Sequence, residues 1–147
     1  ANASTTIGHT PLHLAAQESH LEVVQLLLER RASTESRTQS GHTPLTFAVS
    51  KGQADLARLL LEQGAAATAG SSDGRTPLHL AAAEGFEDLV GLLLAHGAKA
   101  DAATKAGRTP AQMAAQRGHT QLVRLLEESL RADASSDGQR GHGNQST

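Results

Sequence analysis

"GHTPLHLAA" occupies residues 8–16 and "GRTPLHLAA" residues 74–82, the same nine letters with one changed. The two copies start 66 residues apart, and halfway between them Gly41 opens "GHTPLTFAV". A fourth version, "GRTPAQMAA", starts at Gly107. Gly8, Gly41, Gly74 and Gly107 therefore mark a strict period of 33 residues. A fixed period in this range is the signature of a stacked array, in which each unit packs only on its neighbours and no central core is required.

The unit at 74–106 can be read residue by residue. Gly74 suits a tight turn because it tolerates positive φ. Thr76 can cap free backbone N–H groups, and Pro77 loses no hydrogen bond at the first helical position. The pattern predicts a short helix from Pro77 to about Glu84, stopped at Gly85 in a left-handed conformation. A second helix is predicted from about Glu87 to His96, carrying Leu89, Val90, Leu92, Leu93 and Leu94. It is apolar around most of its circumference, so it is expected to be buried on several sides. Gly97 ends it, and "AKADAATKA" leads out to the next glycine.

The T-P-L-H-x-A-A signature in this register resembles the ankyrin repeat family, and the likeness covers residues 8–130. The resemblance implies an all-α solenoid of stacked helix-turn-helix units with β-turn or hairpin fingers projecting to one side. The expected division is a half-finger at 1–7, repeats at 8–40, 41–73 and 74–106, a capping repeat at 107–130, and a disordered tail at 131–147. The opening "ANASTTI" looks like the closing finger of a missing unit, which suggests a longer parent array. At the other end, the position of Leu28, Leu61 and Leu94 becomes Glu127, as a soluble terminal unit needs. The tail lacks apolar periodicity and is rich in Gly, Ser and polar residues.

Composition narrows the function. Among the large aromatics there are only Phe47 and Phe86, too few for base-stacking platforms, and the net charge of −2 gives no basic footprint. Nucleic acid is not an expected partner. There are no cysteines, which removes disulfides and thiolate chemistry and fits a cytoplasmic or nuclear setting. The apolar runs are too short for a bilayer span, so no membrane insertion is expected.

Eight histidines invite a metal or catalytic reading. His13 and His79, however, stand third after their threonine caps, where Thr46 and Gln112 fill the same slot. All four types can hydrogen-bond back to a cap, the role the resemblance implies, whereas Thr and Gln are poor metal ligands. "GSSDGRT" at 70–76 falls short of a phosphate loop, having three residues between its glycines and then Arg75. No catalytic constellation, metal site or cofactor is expected.

If the repeated letters build the scaffold, specificity belongs to the letters that vary. The resemblance implies contact through finger tips and the first helix of each unit. Mapped onto this chain, the tips offer Ile7, His9, Gln39, His42, Asp73, Arg75, Lys105 and Arg108. The first-helix ends offer Gln17, Glu18, Lys51, Glu84, Gln116 and Arg117. The residue after each tip glycine reads His9, His42, Arg75, Arg108, a ladder growing more cationic along the array. Rungs one helix diameter apart, roughly 10 Å, suit an acidic or phosphorylated segment. The expected role is therefore a monomeric protein- or peptide-binding module within a larger adaptor or regulatory protein. A substrate-selecting region of a larger enzyme and a selected synthetic binder are the alternatives. Ser19 and Arg31, where other units mostly carry helix-ending glycines, speak for a natural chain. A left-handed non-glycine residue costs about 1–2 kcal/mol, so lower stability is expected in the first unit.

Overall fold

The computed structural model describes residues 10–145, so the half-finger at 1–7, together with Ile7 and His9, lies outside the described residues. Four helix pairs follow one another: α1 (Pro11–Gln17) with α2 (Leu21–Glu29), α3 (Pro44–Ser50) with α4 (Ala54–Glu62), α5 (Pro77–Glu84) with α6 (Glu87–Ala95), and α7 (Pro110–Gln116) with α8 (Thr120–Gln145). No strand occurs among the described residues. We number the pairs as units one to four.

Each first helix begins the way its sequence dictates. Thr10, Thr43, Thr76 and Thr109 are extended at the N-cap, and each side chain accepts from the backbone N–H three residues on. The third residue reaches back to the cap in turn, so two otherwise orphaned donors are satisfied reciprocally. Gly85 ends α5 at φ 79°, as the sequence predicts. The equivalent turn of unit one is made by Ser19 at φ 61°, and Arg31 ends that unit's second helix at φ 64°. Both expected irregularities are therefore present.

The core is one thread running through the stack. Leu12, Leu45 and Leu78 are fully buried at the same position of successive first helices, and Val24, Leu60, Val90, Leu93 and Leu126 continue the burial along the second helices. First helix packs on first helix along the array, more extensively than second on second. Alanines allow this close row: Ala16, Ala48, Ala81, Ala82 and Ala114 have no exposed surface. Rings lock the loops at the helix joints. The Phe86 ring, at the start of α6, comes within 3.0 Å of where a Cβ on Gly52 would stand. His119 does the same over Gly85, at 2.7 Å, and its Nε2 lies 3.2 Å from the Ala83 carbonyl.

At the far end α8 runs from Thr120 to Gln145. No proline interrupts residues 120–145, and Glu127 pairs with Arg131 one turn on, at 3.7 Å, across the expected boundary. Intrinsic propensity toward helix in "LRADA" carries the chain past the last core contact, although each later glycine weakens it by about 1 kcal/mol. Among the described residues no helix is long and apolar enough to cross a membrane.

Candidate functional site

The fingers are closed turns. The Gly74 N–H donates to the Ser71 carbonyl at 2.9 Å and the Ser71 N–H to the Arg75 carbonyl at 2.8 Å. The tips built on Gly41 and Gly107 repeat this pattern. Successive tips are also tied to each other, through Ser72 N–H to the Ser40 carbonyl at 3.0 Å and Lys105 N–H to the Asp73 carbonyl at 2.9 Å. Gly74 sits at φ 85° with the Lys105 backbone 3.2 Å from where a Cβ would be, so the contact geometry requires glycine. The finger edge is consequently a continuous hydrogen-bonded row on which side chains stand at fixed spacing.

The histidines of T-P-L-H extend that row inward. The Thr76 N–H donates to His79 Nδ1 at 3.0 Å, which leaves Nε2 to donate to the Arg108 carbonyl at 2.9 Å. His13 repeats the arrangement from Thr10, and its Nε2 reaches the His42 carbonyl at 2.8 Å. Capping was legible in the sequence; the second bond, to the next unit's finger 29 residues away, was not. Burial of His79 pushes its pKa below the usual value, with the hydrogen bond to Arg108 opposing. The ring is thereby kept in its neutral, bridging form. Among the described residues no group of three His, Asp or Glu side chains could hold a metal ion.

The three described rungs of the expected ladder, His42, Arg75 and Arg108, differ in their surroundings. His42 is half-buried, its ring tilted 6.0 Å from Phe47 and its Nδ1 buried without a partner. Arg75 is engaged by its own finger, with Nε 3.3 Å from Asp73 Oδ2. Asp73 also accepts from the Ser71 hydroxyl and the Arg75 N–H. These contacts, Ser71 foremost, hold its carboxyl below the usual range. Arg108 is different: its Nη1 donates to Gln116 Oε1 at 2.8 Å, which fixes the guanidinium without cancelling its charge. Among the described residues no carboxylate lies within ion-pair distance of Lys105, Arg108 or Arg117.

Two adjoining clefts collect these groups between units three and four. The outer one, about 410 Å³, is lined by Asp73, Arg75, Thr104, Lys105, Ala106, Arg108 and Met113. The inner one, about 340 Å³, adds Leu80, Ala83, Glu84, Gln116 and Arg117, and shares Arg75, Arg108 and Met113 with the first. Seven of the predicted residues thus come together: Asp73, Arg75, Glu84, Lys105, Arg108, Gln116 and Arg117. Gln17, Glu18, Gln39 and Lys51 are exposed on units one and two and line neither cleft. The apolar floor of Leu80 and Met113 escaped the reading of the sequence. Its signal is the row Leu14, Phe47, Leu80, Met113, apolar in every unit at the position after the histidine slot. Chemically, the site offers orientated cations around a small greasy surface, with no nucleophile placed against a general base.

A family model described as ankyrin repeats (3 copies) matches residues 1–71 and again residues 66–137. No curated protein matches the chain.

Proposed function

The chain belongs to the ankyrin repeat family, whose members are generally protein–protein interaction modules, and on that premise we propose that it holds an acidic segment of a partner protein across the clefts of units three and four. The observation that carries this reading is the placement of Lys105, Arg108 and Arg117, with no carboxylate in ion-pair range, beside Leu80 and Met113. Cations without an internal counter-ion cost the fold little and gain most from an incoming acid, while the apolar floor supplies area to exclude water. The chain acts by binding, without catalysis, as part of an adaptor or regulatory protein. Absence of cysteine supports a cytoplasmic or nuclear setting. Exposed Glu127, at a position that is leucine in the other units, opposes head-to-tail stacking and supports a monomer.

The test is cross-linked capture followed by mapping of the linked peptides by mass spectrometry. Wild type is compared with Lys105→Glu, Arg108→Glu and Arg117→Glu combined, after circular dichroism shows equal helicity. The expected result is a partner segment rich in Asp, Glu or phosphate, linked to residues 104–117 and lost from the variant. Links that instead cluster on Gln17, Lys51 or the outer helices, unchanged in the variant, would move the binding surface elsewhere.

A further inference from the structure

The two clefts are unlike each other in what they leave unsatisfied. On the outer side Lys105 and Arg108 face the cleft, and the carboxylate that shares it, Asp73, is already engaged by Arg75 and the Ser71 hydroxyl. On the inner side Leu80, Ala83 and Met113 form the apolar part of the lining. Arg108 and Met113 belong to both, so a ligand reaching the cations also touches the apolar surface.

Resting on the binding reading above, we propose that this double cleft takes an extended peptide carrying a phosphorylated side chain within two positions of an apolar one. The phosphate lies on Lys105 and Arg108, and the apolar side chain lies on Leu80 and Met113. A carboxylate brings one charge, whereas a phosphate monoester brings nearly two and three strong acceptor oxygens. That matches a site with two adjacent cations and a third, Arg117, on its inner rim. Gln116 occupies one N–H of Arg108, and a guanidinium has five, so the fork that remains is both orientated and available. A nucleic-acid phosphate is the poorer match, because neither Phe47 nor Phe86 lines the clefts to stack a base.

Met113 is the chain's one methionine, so its methyl group gives a single resonance at the junction of the two clefts. The experiment follows that resonance in the whole chain while acetylated pentapeptides of alanine are titrated in. They carry phosphoserine with leucine one or two positions away, in both orders, beside matched peptides with serine or lysine in place of phosphoserine. The expected result is a saturating shift from phosphoserine peptides with affinity about tenfold or more above the serine peptides, the factor that a charge-assisted hydrogen bond supplies. Arg108→Gln and Lys105→Gln should each remove most of that preference. Folding is not at stake, since His79 bonds the backbone carbonyl of Arg108 and not its side chain. Equal shifts from serine and phosphoserine peptides would overturn the phosphate assignment and leave the cleft as a binding surface. A single-stranded oligothymidine that matched the phosphopeptides would overturn the peptide assignment. Silence of Met113 towards every peptide would overturn the proposed ligand, and the cross-link map independently tells whether the wider binding reading falls with it.

Discussion

Asp73 and Arg75 show how two residues of one turn decide what a surface offers. The ion pair is half-exposed on both sides, 59% for Asp73 and 52% for Arg75, so it adds little to stability. Its consequence is for binding: Asp73 occupies the guanidinium that an incoming acid would use. Asp73→Asn should therefore leave the denaturation midpoint nearly unchanged and raise affinity for an acidic ligand roughly fivefold, about 1 kcal/mol for one liberated surface cation. Titration calorimetry with the captured segment decides it; weaker binding would mean that Asp73 itself contacts the ligand. His79 works in the opposite way, inside the fold. His79→Gln should keep the cap, as Gln112 Oε1 does by accepting from the Thr109 N–H at 3.0 Å, and lose the bridge to Arg108. The expected cost is about 1–2 kcal/mol, read as a lower urea midpoint at unchanged slope. The pH dependence follows from the direction of the His79 shift. Its folded pKa lies below 6.5, so the unfolded chain takes up the proton first as pH falls. The contribution is complete above pH 6.5 and is lost as pH drops through that value toward the folded pKa. Between pH 7 and 5 the variant should accordingly lose less stability than wild type. The cap was legible because Thr and His sit three apart. The bridge was not, because only the stacking of units brings the Arg108 carbonyl to Nε2.

At the scale of helices and turns, glycine spacing carried most of what the sequence revealed. Four first helices begin at the predicted Thr-Pro, and α5 and α6 end within a residue of their expected limits. Missing glycines were equally informative, since Ser19 and Arg31 are forced to φ 61° and φ 64°. Replacing either with glycine should raise stability by about 1 kcal/mol, measured by urea denaturation. The reverse change discriminates two causes. Gly64→Ala meets only the backbone penalty at φ 94°, because nothing lies within 4 Å of the new methyl. Gly85→Ala also meets the His119 ring, and should cost about 2–3 kcal/mol where Gly64→Ala costs about 1. In a His119→Ala background, where the bond to the Ala83 carbonyl is already lost, Gly85→Ala should cost only the backbone part. Equal costs at the two glycines would show that the ring simply moves aside. At the C-terminal end composition and packing pull apart: residues 131–145 are polar and glycine-bearing, while α8 starts as a helix already nucleated by packing in unit four.

Across the whole molecule the array is asymmetric, and the asymmetry predicts where it opens first. Unit one exposes Leu14, Leu21, Val23 and Leu26, each between 38% and 48%. In unit three the counterparts of Val23 and Leu26 are Leu89, which is 1% exposed, and half-buried Leu92. Stability in such a stack is a sum of unit terms and nearest-neighbour interfaces. Among the described residues unit one therefore combines an apolar face that no neighbouring unit covers with two strained turns, whereas unit three is flanked on both sides and ends its helices on Gly85 and Gly97. Unit four has one described neighbour too, but it turns on Gly118 and presents Glu127 where its counterparts are leucine. Native-state hydrogen exchange should consequently find the amides of α1 and α2 opening about tenfold or more faster than those of α5 and α6, a difference of at least 1.4 kcal/mol in local opening. Because the clefts proposed to bind lie at the other end, ligand should slow exchange in units three and four and leave unit one nearly unchanged. Unit one better protected than unit three would contradict this ordering. The cause would then be cover on its apolar face in solution, which light scattering would register as a doubled mass if a second copy supplies it.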